Sequence, residues 1–137
     1  MLHAALPELK KNGGAIVNLT AIAGKNPSAD TTPTSVTRAA GLALTKTLSK
    51  DLAQYNIRVN AVCIGLIRSG QIEKRWQEEA PEKPWEEYAR DPKFEIPIGR
   101  IGDTREAANV ISFLVSDAAS YVTGTAVNID GGKSPSL

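Results

Sequence analysis

Thr34 and Arg38 stand four residues apart in the stretch TPTSVTRAAGLALTKTLSK, residues 32–50. On a helix that spacing puts a hydroxyl and a permanent cation on one face, a turn apart. An aliphatic hydroxyl does not ionise near neutral pH, whereas a guanidinium keeps its charge and presents a planar fork of donors. The pair therefore suits gripping a bound group better than moving a proton. The plain alternative is a first helical turn with a capping hydroxyl and a solvated cation. Other reactive side chains are few. Cys63, the only cysteine, lies in an apolar run and reads as a small core residue. It excludes an internal disulfide and favours a reducing compartment. His3, the only histidine, reads as a surface helix residue, and a structural metal site would need an unusual ligand set.

The elements that must position this pair alternate in period. The opening MLHAALPELKK has helical composition, begins without a cap and stops at Asn12-Gly13-Gly14, so it reads as the tail of a helix. AIVNLT, residues 15–20, is a short β-branched run expected to be a strand buried on both faces. After a loop rich in turn residues, Val36, Ala40, Leu44, Leu48 and Leu52 recur every fourth residue, with Ala39 and Ala43 beside them. That spacing predicts one long helix from Thr34 with those residues as its buried stripe. Asn56 can close it, and IRVNAVCIGLI supplies a second buried strand ending at Gly65.

Residues 69–95 are about half charged and hold Trp76, Trp85, Tyr88 and Phe94, four of the chain's seven aromatics. Prolines 81, 84 and 92 divide this segment into two short helices. Its aromatics suit either a substrate pocket or the packing of a lid, and its charges a solvated face. Asp103 or Thr104 is a candidate N-cap for a helix with Ala107, Val110, Ile111 and Leu114 buried, and GTAVNIDGG is a third strand closed by glycines. Strand, helix, strand, helix, strand is the order of a parallel sheet with right-handed crossovers, hence an α/β fold. Three parallel strands make a thin sheet, and the first should want a further neighbour. Residues 1–137 accordingly read as a single incomplete domain, the back half of a larger doubly wound one.

The bulk numbers narrow the function. Sixteen basic residues against fifteen acidic ones leave a formal net charge of +1, so no overall basic field captures nucleic acid or anionic lipid. No apolar stretch approaches the ~20 residues that span a bilayer, and MLHAALPELKK has neither the long apolar centre nor the small-residue cleavage site expected of a secretory signal. Nucleic acid and membrane are not expected partners, and the default location is cytoplasmic.

GGAIVNLTAIAG, AAGLALTKTLSKDLAQYNIRVNAV and IPIGRIGDTREAANVISFLVSDAASYVTGTAVNIDGG, in that order, resemble the C-terminal half of a short-chain dehydrogenase/reductase. The resemblance spans essentially the whole chain. It implies a Rossmann-type domain and an oxidoreductase using NAD or NADP on a small-molecule carbonyl or alcohol. In that family a Tyr and a Lys four residues on begin the long helix, with a Ser thirteen residues before the Tyr. The ammonium favours the phenolate, and the Ser holds the substrate oxygen during hydride transfer.

Here the Tyr position is Thr34, the Lys position Arg38 and the Ser position Ala21. Arg38 keeps a charge able to grip ribose hydroxyls. Thr34 carries its oxygen on too short a stem, and Ala21 has none. Losing proton transfer typically costs ~10²–10⁴ in rate. Thr20 does not replace Ala21, because adjacent strand residues face opposite ways.

The resemblance also implies a cofactor-facing turn at Ile64-Gly65-Leu66-Ile67-Arg68-Ser69, where the family's Pro-Gly becomes Ile64-Gly65. Arg38, Gly65, Leu66, Ile67 and Ser69 are the candidate cofactor contacts. The glycine-rich turn that receives a pyrophosphate has no equivalent here, so this chain alone is expected to bind a dinucleotide poorly and to be inactive. A homodimer or homotetramer is implied as well, through the long helix and last strand. The alternative is a non-catalytic member acting as an interaction or oligomerisation scaffold.

Overall fold

The computed structural model describes residues 2–137, and of Leu2 and His3 the backbone alone, so the reading of the His3 side chain lies outside the described residues. Helix α1 (Leu2–Asn12) ends where Gly13 takes a left-handed φ of 73°. Its backbone N–H returns to Leu9 O at 2.8 Å. Strand β1 (Gly14–Ala21) follows, then helix α2 (Thr34–Asp51). Asn56, left-handed at φ 57°, turns the chain into strand β2 (Ile57–Ile64). Helices α3 (Gly70–Glu79) and α4 (Trp85–Tyr88) occupy the charged aromatic segment. Helix α5 (Thr104–Val115) and strand β3 (Ala126–Ile129) complete the order.

The sheet is three-stranded and parallel throughout, in the order β1-β2-β3. β1 runs beside β2 from Gly14 opposite Ile57 to Ala21 opposite Ile64, and β2 beside β3 from Ala61 opposite Ala126 to Ile64 opposite Ile129. The central β2 is buried, as its apolar run requires. β1 is not: Thr20 alone among its residues is buried, and Leu19 is 60% exposed. A strand read as covered on both faces is an edge strand among the described residues, because no neighbour lies on its outer side.

The long helix starts where expected but faces the other way. Ser35, Thr45 and Ser49 are its buried residues, while Val36 and Leu44 are 62% and 50% exposed and Ala39, Ala40 and Ala43 are exposed too. Small hydroxyl residues can be buried here because each returns its donor to the helix: Ser35 Oγ to Thr31 O at 3.3 Å, Thr45 Oγ1 to Gly41 O at 2.8 Å, Ser49 Oγ to Lys46 O at 2.8 Å. Thr45 Oγ1 also accepts from Asn18 Nδ2 at 2.9 Å, and a Cβ at Gly41 would lie 3.1 Å from Thr20 Cγ2. Only a narrow face lets α2 approach β1 this closely. Leu48 and Leu52, from the predicted stripe, do pack inward with Ile57 and Val59.

The α5 reading holds in detail. Asp103 and Glu106 form a capping box, and Ala107 and Leu114 are buried with Val110 and Ile111 half-buried. At its C-terminal end Arg58, from β2, donates to Leu114 O (2.7 Å) and Ser116 O (2.9 Å), satisfying carbonyls that the helix leaves open.

Candidate functional site

Two groups of residues lie near the carboxyl ends of the strands, where open α/β sheets place their ligands. The first surrounds the end of β1. Ala21 is its last residue and sits opposite Ile64. Thr34 is the first residue of α2 and is exposed. Its hydroxyl does not cap the helix, whose preceding residue is Pro33. One turn on, Arg38 Nη1 donates to Leu19 O at 3.1 Å. Gly24, in the 3-10 turn after β1, lies so close to α2 that a Cβ there would stand 2.9 Å from the Arg38 carbonyl carbon.

The second group is the turn after β2. Gly65 N donates to Ile129 O at 3.0 Å, and a Cβ at Gly65 would lie 2.6 Å from the Cβ of Asp130, so glycine is what lets this turn touch the end of β3. Leu66 O accepts from Gly102 N at 3.0 Å, and Arg68 N donates to Gly102 O at 2.8 Å. Between them Ile67 is buried in a parallel bridge with Gly102. Ser69 caps α3, its Oγ accepting from Ile72 N at 3.4 Å. That capping role was absent from the sequence reading.

Ile64, Gly65, Leu66, Ile67 and Ser69 line one open cleft of about 640 Å³, whose other wall is Ile72, Arg75 and their neighbours on α3. The expected cofactor turn is thus brought together, while Thr34 and Arg38 stand outside this cleft, beside the end of β1. Arg75 is held by Glu79, whose carboxylate also accepts from Lys93 at 2.9 Å and from Tyr88 Oη at 3.2 Å. The Lys93 and Arg75 hydrogen bonds hold Glu79 at a pKa of about 2. The aromatics of residues 69–95 pack on one another: Tyr88 is fully buried, 5.2 Å from Phe94 and 6.1 Å from Trp85 between ring centres. They build a small core of their own with Ala80, Ala89 and Ile101 instead of lining the cleft, although Ile72 is shared.

These residues fit part of a nicotinamide dinucleotide. A backbone turn whose apolar side chains form one wall of the cleft suits the nicotinamide end, while Gln71, Lys74, Arg75 and Glu78 make the opposite wall polar. Among the described residues no glycine-rich turn leads into a helix N-terminus to receive a pyrophosphate, since Gly13 and Gly14 lead into a strand.

The match to known proteins covers the same ground. Residues 1–134 fit the family profile described as Enoyl-(Acyl carrier protein) reductase. The chain belongs to the short-chain dehydrogenase/reductase family. Dehydrogenase/reductase SDR family member 4 from Homo sapiens is 38% identical over 133 residues, covering 96% of this chain and 45% of that protein. A 3-oxoacyl-(acyl-carrier-protein) reductase from Thermotoga maritima is 42% identical over 125 residues, 90% of this chain and 47% of its own length. Among solved structures, a short chain oxidoreductase from Pseudomonas aeruginosa, described as containing an atypical catalytic center, superposes in its apo form with a TM-score of 0.93 at 32% identity. That match covers 99% of this chain and 53% of the other. Its NADPH-bound form matches at 0.86. The chain spans about half the length of the curated short-chain dehydrogenases it matches.

Sequence reasoning missed three further residues that tie these elements together. Lys25 and Asn26 tie the loop after β1 to the end of the chain, and Asn60, fully buried in β2, donates to Val122 O at 2.8 Å. A buried Asn between Val59 and Ala61 was the only signal available for the last. Lys25 carried none, since a lysine in a loop normally reads as solvated.

Proposed function

We propose that this chain is the C-terminal half of an NAD- or NADP-dependent oxidoreductase acting on a carbonyl or alcohol, with an altered active site. The observation that carries this reading is the turn from Ile64 to Ser69. Five of its residues face one cleft at the carboxyl end of the sheet, and Gly65 is held to the end of β3 by a contact only glycine permits. A nicotinamide bound there supplies or accepts the hydride. Gly65 and Leu66 present the turn backbone, Ile67 fixes that turn through Gly102, and Ser69 anchors α3 as the far wall. Arg38 supplies a fixed cation able to grip ribose hydroxyls. Neither Ala21 nor Thr34 can deliver a proton as a phenol does, so the proton comes from another group or turnover is slow. The free, buried thiol of Cys63 agrees with a reducing, cytoplasmic setting.

The exposed stripe Val36, Ala40 and Leu44 on α2 supports a homodimer or homotetramer, because small residues beside it allow a second helix close approach. The same stripe, with the loss at Ala21 and Thr34, favours the second reading of a non-catalytic scaffold. Calorimetric titration of the longer protein with NADPH and NADH separates them. Binding of either supports the oxidoreductase, and no heat at millimolar cofactor removes it.

A further inference from the structure

β1 and β3 are not neighbours, since β2 lies between them. Yet the loop after β1 is bonded directly to β3 and to the segment beyond it. Lys25 Nζ, half-buried, donates to Ala126 O at 3.0 Å, Asn128 Oδ1 at 2.7 Å and Leu137 O at 3.0 Å. All three ammonium donors are used, the most such a group can do. Asn26 is engaged on both sides of its amide, donating from Nδ2 to Ser134 Oγ at 2.5 Å and accepting at Oδ1 from Ser136 Oγ at 2.7 Å. The segment they grip is fixed in turn. Asn128 Nδ2 donates to Ser136 O at 2.6 Å, and the two carboxylate oxygens of Asp130 accept from Gly132 N (3.0 Å) and Ser134 N (2.7 Å).

At one end this network reaches the turn after β2, because Asp130 is the residue against which Gly65 packs. At the other it reaches α2, because Gly24, next to Lys25, lies against the Arg38 backbone. Exposed ion pairs would contribute little, and the contact to the exposed Leu137 is of that modest kind, but the part-buried Ala126 carbonyl and Asn128 amide oxygen lose this donor if the ammonium is removed.

We propose that Lys25 and Asn26 are positioning residues that set the Arg38 end of α2 relative to the Gly65 turn by way of residues 126–137. Neither touches the reacting groups. They fix the distance between the residue that would grip the ribose and the turn that would face the nicotinamide. The inference rests on the oxidoreductase reading for its functional consequence and on geometry alone for its structural one, so the two are tested apart.

The test uses the longer protein with Lys25→Met, Lys25→Arg, Asn26→Ala and Ser136→Ala, the last two also combined. In the absence of cofactor, peptide-resolved hydrogen exchange over residues 22–33 is expected to speed up about tenfold or more in Lys25→Met, with the exchange of β2 unchanged. Lys25→Arg should restore most of the protection. Asn26→Ala and Ser136→Ala should be non-additive, since both break the Asn26–Ser136 bond, Asn26→Ala removing the bond to Ser134 besides. In parallel, cofactor Kd should weaken about tenfold in Lys25→Met and recover in Lys25→Arg. Unchanged exchange over 22–33, additive single effects, or a uniform loss that also includes β2 overturns the positioning role. If the unsubstituted protein binds no cofactor while the exchange pattern is as expected, the oxidoreductase reading fails and the network stands as a structural clasp.

Discussion

Arg38 donates to the carbonyl oxygen of Leu19 at 3.1 Å, on the side of β1 that has no strand beside it. Gly14 N donates to Asn56 O, so by the alternation of a strand Gly14, Ile16, Asn18 and Thr20 direct their peptide groups at β2 and Leu19 directs its own outward. The residue at the family's Lys position thus covers one of the open carbonyls of an edge. Cations along an edge are a common defence against pairing with other sheets. In the isolated chain Arg38→Ala should lower the temperature at which light scattering begins to rise; an unchanged onset would remove this edge-covering role.

Restoring the missing chemistry is a direct trial of the altered site. Ala21→Ser, Thr34→Tyr and Arg38→Lys together in the longer protein should raise turnover on a carbonyl panel by about 10²-fold or more, since a positioned proton donor is worth that much. Equal rates before and after would mean that a different group already serves the proton.

Gly65→Ala should destabilise by about 1–3 kcal/mol, the usual cost of overpacking, because the new methyl would sit 2.6 Å from Asp130 Cβ. Cofactor affinity should fall with it. Thermal melts beside titrations read both, and a melt matching that of the unsubstituted protein would show that the two turns can move apart freely.

Arg58→Met tests the α5 terminus. The substitution leaves Leu114 O and Ser116 O without their guanidinium, at a cost of about 1.5–3 kcal/mol for hydrogen bonds to a charged donor. A midpoint in urea that does not shift would assign those carbonyls to water.

Acid should unfold this protein by a route that can be followed residue by residue. Hydrogen bonds from Arg100, and then from the Asp103 backbone, hold Glu106 at a pKa of about 2, against 4.5 for an unperturbed glutamate. Lys93 and Arg75 do the same for Glu79, also at about 2. A folded-state pKa below the unfolded one stabilises fully above pH 4.5, and that contribution is lost as pH falls from 4.5 toward 2. Both carboxylates are at the surface, so each effect is modest and should shrink in high salt. Melting temperature followed across that window should fall less steeply in the Glu79→Gln, Glu106→Gln double variant; parallel curves would sink the assignment.

Element type and order were legible in the sequence because period and punctuation both mark them. Thr34 begins α2 where the apolar repeat begins, Gly13 stops α1 with a left-handed turn, and Asp103 caps α5 with Glu106; Asn56 is left-handed as expected but closes the 3-10 turn Ala53–Tyr55, α2 itself having ended at Asp51. Orientation was not. The repeat of Val36, Ala40 and Leu44 was read as a buried stripe, yet the helix buries Ser35, Thr45 and Ser49. A periodicity of apolar residues cannot register hydroxyls that satisfy themselves on their own helix, nor distinguish a core face from one kept for another surface. The edge position of β1 was hinted at by the narrowness of the sheet but not by its own residues, which have the composition of a central strand. Within the site, the turn at Gly65 was found because its residues are contiguous. The Lys25 clasp was not, since its acceptors lie about a hundred positions away and most are backbone oxygens that no residue type announces.

The aromatic cluster of residues 69–95 has a practical outcome for anyone who watches this protein unfold. Trp76 and Trp85, the chain's two tryptophans, both belong to the core built on Tyr88 and Phe94, whereas Leu52, Ile57 and Val59 form a different one. Tryptophan fluorescence, excited apart from tyrosine, therefore reports on this cluster alone. A dye-free optical melt and a calorimetric one need not coincide, and any gap between them would measure how loosely the two halves of the interior are geared together.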